Sequence, residues 1–276
     1  MSESEQPNVA QEDTEFADRH NTEIKGPFVM LCEGDSDYAF FRKLCHKREI
    51  ADFDMPFINP VKDENGDEIK LRGKDSFPAM LKYLAPRLKS LPKNSVKGII
   101  LCMDCGNDDK KSFCSVAAQV SKAAVGGKCL YHKPTSALTW VNAINPDLPP
   151  LVIVMVPSVG KSESESESKS KSKSGGLETL CVEALRAEDP KTAECLDQYL
   201  ACLTKKGVGI NGWGAETRSK AEMQCLIAVT NKDDPNKAGR YVFSPQKGGK
   251  PPVIDVTHPA FDALADDLKN AIEALS

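Results

Sequence analysis

The stretch VMLCEGDSD at residues 29–37 decides the fold of this chain. It completes an apolar run, residues 27–32, that has the length of a β-strand and contains no charged residue. Such a strand is buried on both faces, as in a parallel sheet covered by helices. The acidic turn that begins with Glu33 leads into a helix that Asp35 or Ser36 is able to cap. The stretch therefore predicts a strand–turn–helix unit of an α/β protein.

Two later runs repeat this pattern. Residues 98–103 and 151–156 are also continuous apolar runs of strand length. Asn65-Gly66 joins two shorter strand patterns at residues 53–61 and 68–72, which is a strong signal for a hairpin. Further helices are predicted at residues 75–92, 110–124, 177–187, 191–205, 217–229 and 259–275. The alternation of strands and helices predicts an α/β domain with a mostly parallel sheet flanked by helices and a C-terminal helical extension.

Two segments fall outside this pattern. Residues 1–25 carry seven acidic and two basic residues and predict a disordered acidic tail. Residues 161–174 alternate Ser with Glu and then with Lys, and because they contain no apolar residue they predict a disordered loop. We therefore predict one domain at residues 26–275, with this loop inside it and a helical C-terminal part from about residue 177.

The composition excludes several classes of protein. The net charge of -4 over 276 residues excludes a generally basic nucleic-acid coat, so any contact with nucleic acid must use a local patch. No apolar run approaches the roughly 20 residues that span a bilayer, and the N-terminal segment lacks the features of a signal peptide, so we expect a cytoplasmic protein. The ten cysteines are then expected to be free thiols that pack as small hydrophobic residues. Cys102 and Cys105 form the one C-x-x-C pair, and a zinc ribbon needs a second.

The informative signal for function is acidic. The predicted strands at residues 27–32 and 98–103 are each followed directly by a carboxylate, Glu33 or Asp104. Carboxyl ends of parallel strands share one edge of a sheet, and ligands bind in the crevice there. Adjacent carboxylates repel each other unless a cation lies between them, and a cluster of oxygen ligands favours Mg²⁺ or Mn²⁺. Four further carboxylates are expected near this edge, those of Asp37, Asp108, Asp109 and Glu178. The alternative is that these residues, like Asp35, only cap helices or lie in turns.

The acidic residues lie in stretches of sequence that resemble the motifs of a known family. The stretch VMLCEGDSD and the following helix resemble the first motif of Toprim domains, and IILCMD at residues 99–104 resembles the strand that carries their second motif, Asp-x-Asp. The strand at residues 152–157, the stretch GLETL at 176–180 and the helix SKAEMQCLIA at 219–228 are similar to an uncharacterised stand-alone Toprim-like family related to the overcoming-lysogenization-defect nucleases. The similarity covers roughly residues 26–275.

This resemblance implies roles for individual residues. Glu33 would act as a general acid or base, and Asp104 would be a Mg²⁺ ligand, joined by Asp37 and Asp108. Glu178 would hold a second metal ion or support the first, and Lys220 would stabilise negative charge on a phosphate in the transition state; its alternative is a solvated helix lysine. The chain departs from the family at the second aspartate of Asp-x-Asp, where it has Gly106. Asn107 or Asp108 could replace that aspartate, or the site has lost activity.

A basic stretch at residues 201–250 is a candidate surface for binding nucleic acid. Between residues 201 and 250 the chain has nine basic and four acidic residues. Lys205, Lys206 and Arg218 could contact phosphates, and Trp213 could stack on a base; the alternative is a soluble, lysine-rich surface. The leading hypothesis is a Mg²⁺-dependent nuclease that cleaves phosphodiester bonds. The rival is a non-catalytic Toprim-like module that binds nucleic acid, a nucleotide or a partner protein. The sequence has no ATPase motif, so any motor in a two-component system would be a separate chain.

Overall fold

The computed structural model describes residues 24–56, 61–62, 68–69, 71, 73, 75–106, 108–157, 176–208, 213–231, 239–246 and 250–275. In chain order, its strands are β1 (Phe28–Cys32), β2 (Phe53–Asp54), β3 (Val61–Lys62), β4 (Glu68–Ile69), β5 (Gly98–Asp104), β6 (Ala124–Val125), β7 (Lys128–Cys129) and β8 (Leu151–Val156). Its helices are α1 (Asp35–Lys47), α2 (Phe77–Ser90), α3 (Asp109–Lys122), α4 (Leu177–Glu188), α5 (Pro190–Lys205), α6 (Ala215–Thr230) and α7 (Asp262–Glu273). Short 3₁₀ turns occupy Gly239–Phe243 and Pro259–Phe261.

Four parallel strands form the central sheet, in the order β2-β1-β5-β8. The two faces of β1 enter different apolar clusters, because successive side chains of a strand point to opposite faces. Met30 packs in a cluster with residues of α1, α4 and α7, whereas Leu31 packs in a cluster with residues of α2 and α3. The structure thus confirms a mixed α/β fold with a mostly parallel sheet flanked by helices.

The C-terminal part belongs to the same core as the sheet. Phe40 of α1 contacts the rings of Phe243 and Phe261 at centroid distances of 5.3 and 5.1 Å. Arg48, which follows α1, pairs with Asp262 at 2.8 Å and donates hydrogen bonds to backbone carbonyls at residues 256–258. The C-terminal helices are therefore fastened to the first helix of the chain by both aromatic packing and a charged clamp.

The structure changes some local predictions. The predicted strand at residues 53–61 is two separate strands, because β2 pairs in parallel with β1 while β3 pairs antiparallel with β4 across the predicted hairpin. The cap of α1 is Gly34, not Asp35 or Ser36. Asp35 and Ser36 already lie within the helix, so their side chains are not in the position from which a cap accepts the first free N–H groups. The predicted acidic tail spans residues 1–25. Its residues 1–23 lie outside the described residues, as does the predicted loop at 161–174, whereas Ile24 is described and packs partly buried against the core.

The structure also bears on the predicted burial of the cysteines and on membrane-spanning segments. Five cysteines are buried, and five are exposed, so only half of them pack as interior apolar residues; the exposed ones are Cys114, Cys129, Cys195, Cys202 and Cys225. Cys102 and Cys105 are both buried. Among the described helices, none combines the length and apolar character that a membrane-spanning segment requires.

The start of β5 yields a stability prediction. A methyl group on Gly98 would lie 2.4 Å from the ring of Trp140, which is itself held by a hydrogen bond from Nε1 to the carbonyl of Ala271. Gly98→Ala should therefore lower the free energy of unfolding by about 1–3 kcal/mol through overpacking. Urea denaturation measures the change. Gly26→Ala is the control, because a methyl group there meets its nearest atom only at 3.4 Å; equal effects in both variants would contradict the packing argument.

Candidate functional site

The carboxyl ends of β1 and β5 bring two acidic residues to the same edge of the sheet. The strands are parallel, and Cys32 lies directly opposite Cys102. Glu33 follows Cys32, and Asp104 is the last residue of β5, two positions beyond Cys102. Both residues are partly buried. The sheet register alone therefore places these carboxylates on neighbouring strands at the edge where ligands bind in open α/β sheets.

The first turn of α4 closes over Asp104. The backbone N–H of Leu177 donates a hydrogen bond of 3.0 Å to Asp104 Oδ1. This N–H is one of those at a helix N-terminus that have no partner within the helix, and the positive end of the helix dipole favours a carboxylate there. The contact spans the sequence from β5 to α4 and fixes the start of α4, with Glu178 in its first turn, against the end of the sheet.

Asp37 joins the same group from α1. It is the third residue of the helix, and its Oδ2 accepts a hydrogen bond of 3.0 Å from the N–H of Gly34. The side chain thus supports the helix start in the way that a capping-box residue does. Its charge interacts with those of Glu33, Glu178 and Asp104, so it also faces the other carboxylates. Asp37 therefore supports the start of α1 and also lies within electrostatic reach of the other carboxylates.

The cationic group of the site comes from α6. Lys220 Nζ lies 3.9 Å from Glu178 Oε1, and the lysine side chain is half exposed. Its positive charge also acts on Asp37 and Asp104, where it favours the ionised carboxylates. The turn after β1, strand β5 and helices α1, α4 and α6 therefore each contribute one residue. We call this set the acidic cluster: Glu33, Asp104, Asp37, Glu178 and Lys220.

Gly176 leaves a small space between two of the carboxylates. A methyl group built on this residue would lie 3.4 Å from Asp104 Oδ2 and 3.6 Å from Glu178 Oε2. Both oxygens therefore border the same volume, which any larger residue would begin to fill. The backbone of Gly176 has φ -150, an extended conformation that any residue adopts, so its backbone conformation does not require glycine.

Burial and mutual repulsion make the cluster electrostatically strained without a cation. The pKa of Asp104 is raised to about 7, mainly by loss of solvent and then by the charges of Asp37 and Glu178, against the hydrogen bond from Leu177. The pKa of Asp37 is likewise raised to about 7, mainly by loss of solvent, with the charges of Glu178 and Glu33 contributing and the hydrogen bond from Gly34 opposing the shift. A divalent cation would relieve this repulsion.

The donor set fits a hydrated Mg²⁺ ion. Within the described part of the chain, no three His, Cys, Asp or Glu side chains are arranged to hold a metal ion directly. Mg²⁺ usually keeps several of its waters and takes only one or two carboxylates from the protein. The oxygens of Asp104 and Glu178, which border the same space, meet that requirement, and Asp37 lies within electrostatic reach of both.

Asp108 and Gly106 have local structural roles. Asp108 is exposed and caps α3, where its Oδ1 accepts a hydrogen bond of 2.9 Å from the N–H of Lys111. This is the capping role considered as the alternative, and a ligand role for Asp108 stays a prediction. Gly106 has φ +60, and a methyl group there would lie 3.3 Å from Ser112 Oγ. The turn after Asp104 therefore favours glycine over the aspartate that the Toprim pattern has at this position. Asn107 lies outside the described residues.

The residues predicted to bind nucleic acid are on the surface. Lys205 ends α5 and Lys206 follows it, and both are exposed. Trp213 is 41% exposed and precedes α6. Arg218 lies on α6, but its Nε is paired with Glu222 at 2.7 Å. These positions are accessible, and their contact with nucleic acid stays a prediction.

Sequence reasoning missed two features of the site. The space beside Gly176 could not be found from the sequence. The local pattern indicates only that Gly176 ends a loop and precedes a helix. Glu222 is 8% exposed and lies between Arg218 and Arg186 of α4. The spacing of Arg218 and Glu222, four residues apart on a helix, is a sequence signal for an ion pair, whereas the partner on α4 is decided only by helix packing.

The raised pKa values predict how the stability of the metal-free protein depends on pH. Between the ordinary value of 3.8 and about 7, the folded state keeps protons on Asp37 and Asp104 that the unfolded state has released. The free energy of unfolding should therefore fall as the pH rises through this range, and level off above it. Urea unfolding in EDTA at a series of pH values measures the slope. Asp104→Asn should make the slope shallower, and an unchanged slope would contradict the burial of this carboxyl group.

Comparison with known proteins gives a family without a described activity. A family model with the description Protein of unknown function (DUF3226) matches residues 27–273. This range contains every residue of the acidic cluster and extends from the start of β1 to the end of α7. No curated protein and no solved structure matches the chain significantly. The chain belongs to the DUF3226 family.

Proposed function

We propose that this protein is a Mg²⁺-dependent nuclease that hydrolyses phosphodiester bonds in nucleic acid. The observation that carries the proposal is the acidic cluster, in which four carboxylates and a lysine from five different elements converge at the carboxyl edge of a parallel sheet. Such a cluster is unfavourable by itself and becomes favourable around a cation. The resemblance of residues 29–37 and 99–104 to Toprim motifs supports the same assignment.

Asp104 and Glu178 would hold the metal ion, with Asp37 as a further ligand or as an acceptor for its waters. Bound Mg²⁺ would supply positive charge that stabilises the negative charge developing on a phosphate. The protein's own contribution is positional: the N–H of Leu177 holds Asp104, and the N–H of Gly34 holds Asp37. Both carboxylates are thereby oriented before a ligand arrives, which avoids the cost of ordering them during binding.

Glu33 and Lys220 would act on the substrate. Glu33 is partly exposed at the end of β1, so its carboxylate is able to take a proton from an attacking water or return one to the leaving oxygen. Lys220 is half exposed and lies beside Glu178, so its ammonium group is placed to stabilise a phosphate oxygen next to the metal ligands. The exposed basic residues Lys205 and Lys206 would bind the substrate through its phosphates.

A specific observation favours the second candidate function, a non-catalytic module that binds nucleic acid, a nucleotide or a partner protein. Gly106 replaces an acidic ligand of the Toprim pattern, and its φ of +60 is a conformation that glycine adopts readily and aspartate only occasionally. The cluster then has one carboxylate fewer with which to hold a second metal ion. A protein of this kind would bind Mg²⁺ at the cluster without cleaving a phosphodiester bond, and would act with another chain.

The metal site predicts a thermal response. Mg²⁺ should raise the melting temperature, because it binds the folded state alone; at a concentration one hundred times its dissociation constant it adds about 2.7 kcal/mol of stability. Asp104→Asn should remove most of the response while keeping the fold, since asparagine still accepts the N–H of Leu177. Thermal scans with Mg²⁺ and with EDTA measure both effects.

Asp108→Asn decides between the two roles of that residue. A metal-ligand role predicts the loss of the Mg²⁺ response, and the capping role predicts an intact response because asparagine also caps helices well. A Mg²⁺ response that survives unchanged in Asp104→Asn would contradict the proposed site.

The space beside Gly176 gives a steric test of the same site. Gly176→Ala should fold, because its backbone conformation suits alanine and the nearest atoms are at 3.4 Å or more. The added methyl group should displace a hydrated ion and weaken the affinity for Mg²⁺ by roughly tenfold or more, which corresponds to about 1.4 kcal/mol or more of binding free energy. Isothermal titration calorimetry measures the affinity. Gly214→Ala is the control, because no atom lies within 4 Å of its new methyl group; equal affinities in both variants would contradict the assignment of the space.

The nuclease proposal predicts separate effects on cleavage and on binding. Glu33→Gln should abolish Mg²⁺-dependent cleavage of plasmid or oligonucleotides and leave binding intact, and Lys220→Met should reduce kcat by about a hundredfold through lost charge stabilisation. Lys205→Ala with Lys206→Ala should weaken binding and reduce its salt dependence. Cleavage that persists in Glu33→Gln would contradict the role of Glu33. Mg²⁺ binding without any cleavage by the wild-type protein would favour the non-catalytic module.

A further inference from the structure

The half of α6 that carries Lys220 lacks an apolar anchor. Among residues 217–222, all of them described, Glu222 alone is buried. The buried apolar residues of α6 are Leu226 and Ile227, which lie beyond this half of the helix. An apolar stripe normally sets the rotation of a helix about its own axis. Met223 is partly buried against the core and begins the apolar contacts of α6 directly after this half, so polar contacts act together with them in setting the rotation of the helix.

One such contact lies directly beside Lys220. Thr179 Oγ1 donates a hydrogen bond of 3.1 Å to Ser219 Oγ. Thr179 is buried, so its hydroxyl group needs a partner within the protein. Thr179 follows Glu178, and Ser219 precedes Lys220, so this hydrogen bond joins α4 and α6 at the residues next to the ion pair. The ion pair itself is half exposed and contributes little to holding the helices together.

The stronger contact is made by Glu222. Its Oε2 accepts a hydrogen bond of 2.9 Å from Arg186 of α4, and its Oε1 accepts one of 2.7 Å from Arg218. The same Arg186 also pairs with Asp197 of α5, at 2.8 and 3.0 Å. A buried carboxylate is costly unless it is paired, so a rotation of α6 that moved Glu222 away from Arg186 would leave a buried charge uncompensated. Glu222 therefore ties the rotation of α6 to both neighbouring helices.

We propose that Glu222, through Arg186, is the positioning residue for Lys220: it sets the rotation of α6 that keeps the Lys220 ammonium group beside Glu178. The two residues lie on one helix, so a change in the rotation of α6 moves both together. The positioning is a property of the fold, whereas its consequence for phosphate chemistry rests on the proposed nuclease function. Glu222 itself does not touch the substrate in this scheme.

Two variants that each change a carboxylate to an amide distinguish the positioning of Lys220 from a general loss of charge pairing with Arg186. Glu222→Gln and Asp197→Asn each neutralise one carboxylate partner of Arg186. The first partner is buried and lies on α6, and the second is exposed and lies on α5. A contribution that came only from charge pairing would be lost in both variants, whereas positioning of Lys220 is lost in the first alone.

The first measurement is the acylation rate of Lys220, which does not require the protein to cleave nucleic acid. The full-length protein is treated with an N-hydroxysuccinimide ester, and peptide mass spectrometry gives the acylation rate of Lys220 relative to Lys205 in the same molecule. Glu178→Gln, which removes this ion pair directly, defines the reference rate of Lys220 without its contact to Glu178. In Glu222→Gln the rate should move at least halfway to that reference, and in Asp197→Asn it should stay at the wild-type value. Equal rates in Glu222→Gln and the wild type would overturn the proposal.

The second measurement uses cleavage, where the wild-type protein shows it. Glu222→Gln should lower kcat and leave KM nearly unchanged, and the double variant with Lys220→Met should be no slower than Lys220→Met alone, because Glu222 acts through the lysine. Independent, multiplicative losses would overturn the proposal. If the wild-type protein does not cleave, the nuclease proposal fails and the acylation rates still decide the positioning.

Ser219→Ala covers the case in which Glu222→Gln does not fold. It removes the hydroxyl contact beside Lys220 and leaves Glu222 and its arginines in place. The acylation rate of Lys220 should then remain close to the wild-type value, because Glu222 still sets the rotation of the helix. A rate equal to that of Glu178→Gln would show that the hydroxyl contact, and not Glu222, positions the lysine, and would overturn the assignment.

Discussion

The repulsion between carboxylates at one end of the sheet is the constraint on which the rest of this structure depends. Two parallel strands end in acidic residues, and the helices that follow add Asp37 and Glu178 to the same edge. Burial prevents water from screening these charges, and the pKa of both Asp37 and Asp104 rises to about 7 as a result. A fold that needed only stability would replace such a group by apolar residues of similar size.

The fold offsets this repulsion with backbone amides and with one lysine. The N–H groups of Gly34 and Leu177, at the starts of α1 and α4, each hold one of the buried aspartates. Amides at a helix start have no partner within the helix, so their use here costs no intrahelical hydrogen bond. Lys220 adds a full positive charge from a third helix. Together these groups lower the repulsion without removing it, and the proposed Mg²⁺ ion would lower it further.

The outer helices serve the cluster as well as the core. α4 covers the sheet with its apolar face while its first turn binds Asp104. At one end of α6, Leu226 and Ile227 are buried in the apolar cluster that also contains residues of α4; at the other end, α6 meets α4 through the Thr179–Ser219 and Arg186–Glu222 contacts. A buried charge pair tolerates little displacement, because separation of the partners leaves a buried charge uncompensated. The polar end of α6 is the end that carries the lysine.

The sequence by itself determined the fold class and the elements that matter most. Continuous apolar runs at residues 27–32, 98–103 and 151–156 predicted buried parallel strands, since only a sheet covered on both faces buries every side chain of such a run. It also identified Glu33 and Asp104, because their positions directly after two strands follow from local pattern alone. A local prediction was wrong at the cap of α1, because Asp35 and Ser36, which directly follow Gly34, are residue types that also cap helices well.

Only the tertiary structure decided how the acidic residues are used. Asp108 and Asp37 both lie in the first turn or cap of a helix, yet Asp108 is exposed and Asp37 is partly buried within electrostatic reach of the other carboxylates. The space beside Gly176 and the contact between Arg186 and Glu222 likewise depend on how α4 lies against the sheet and α6 against α4. Local pattern predicts which face of a helix is apolar, but not which residue of a distant helix will meet it. Charges separated by dozens of residues are brought together by packing, and their burial and pKa values follow from that packing alone.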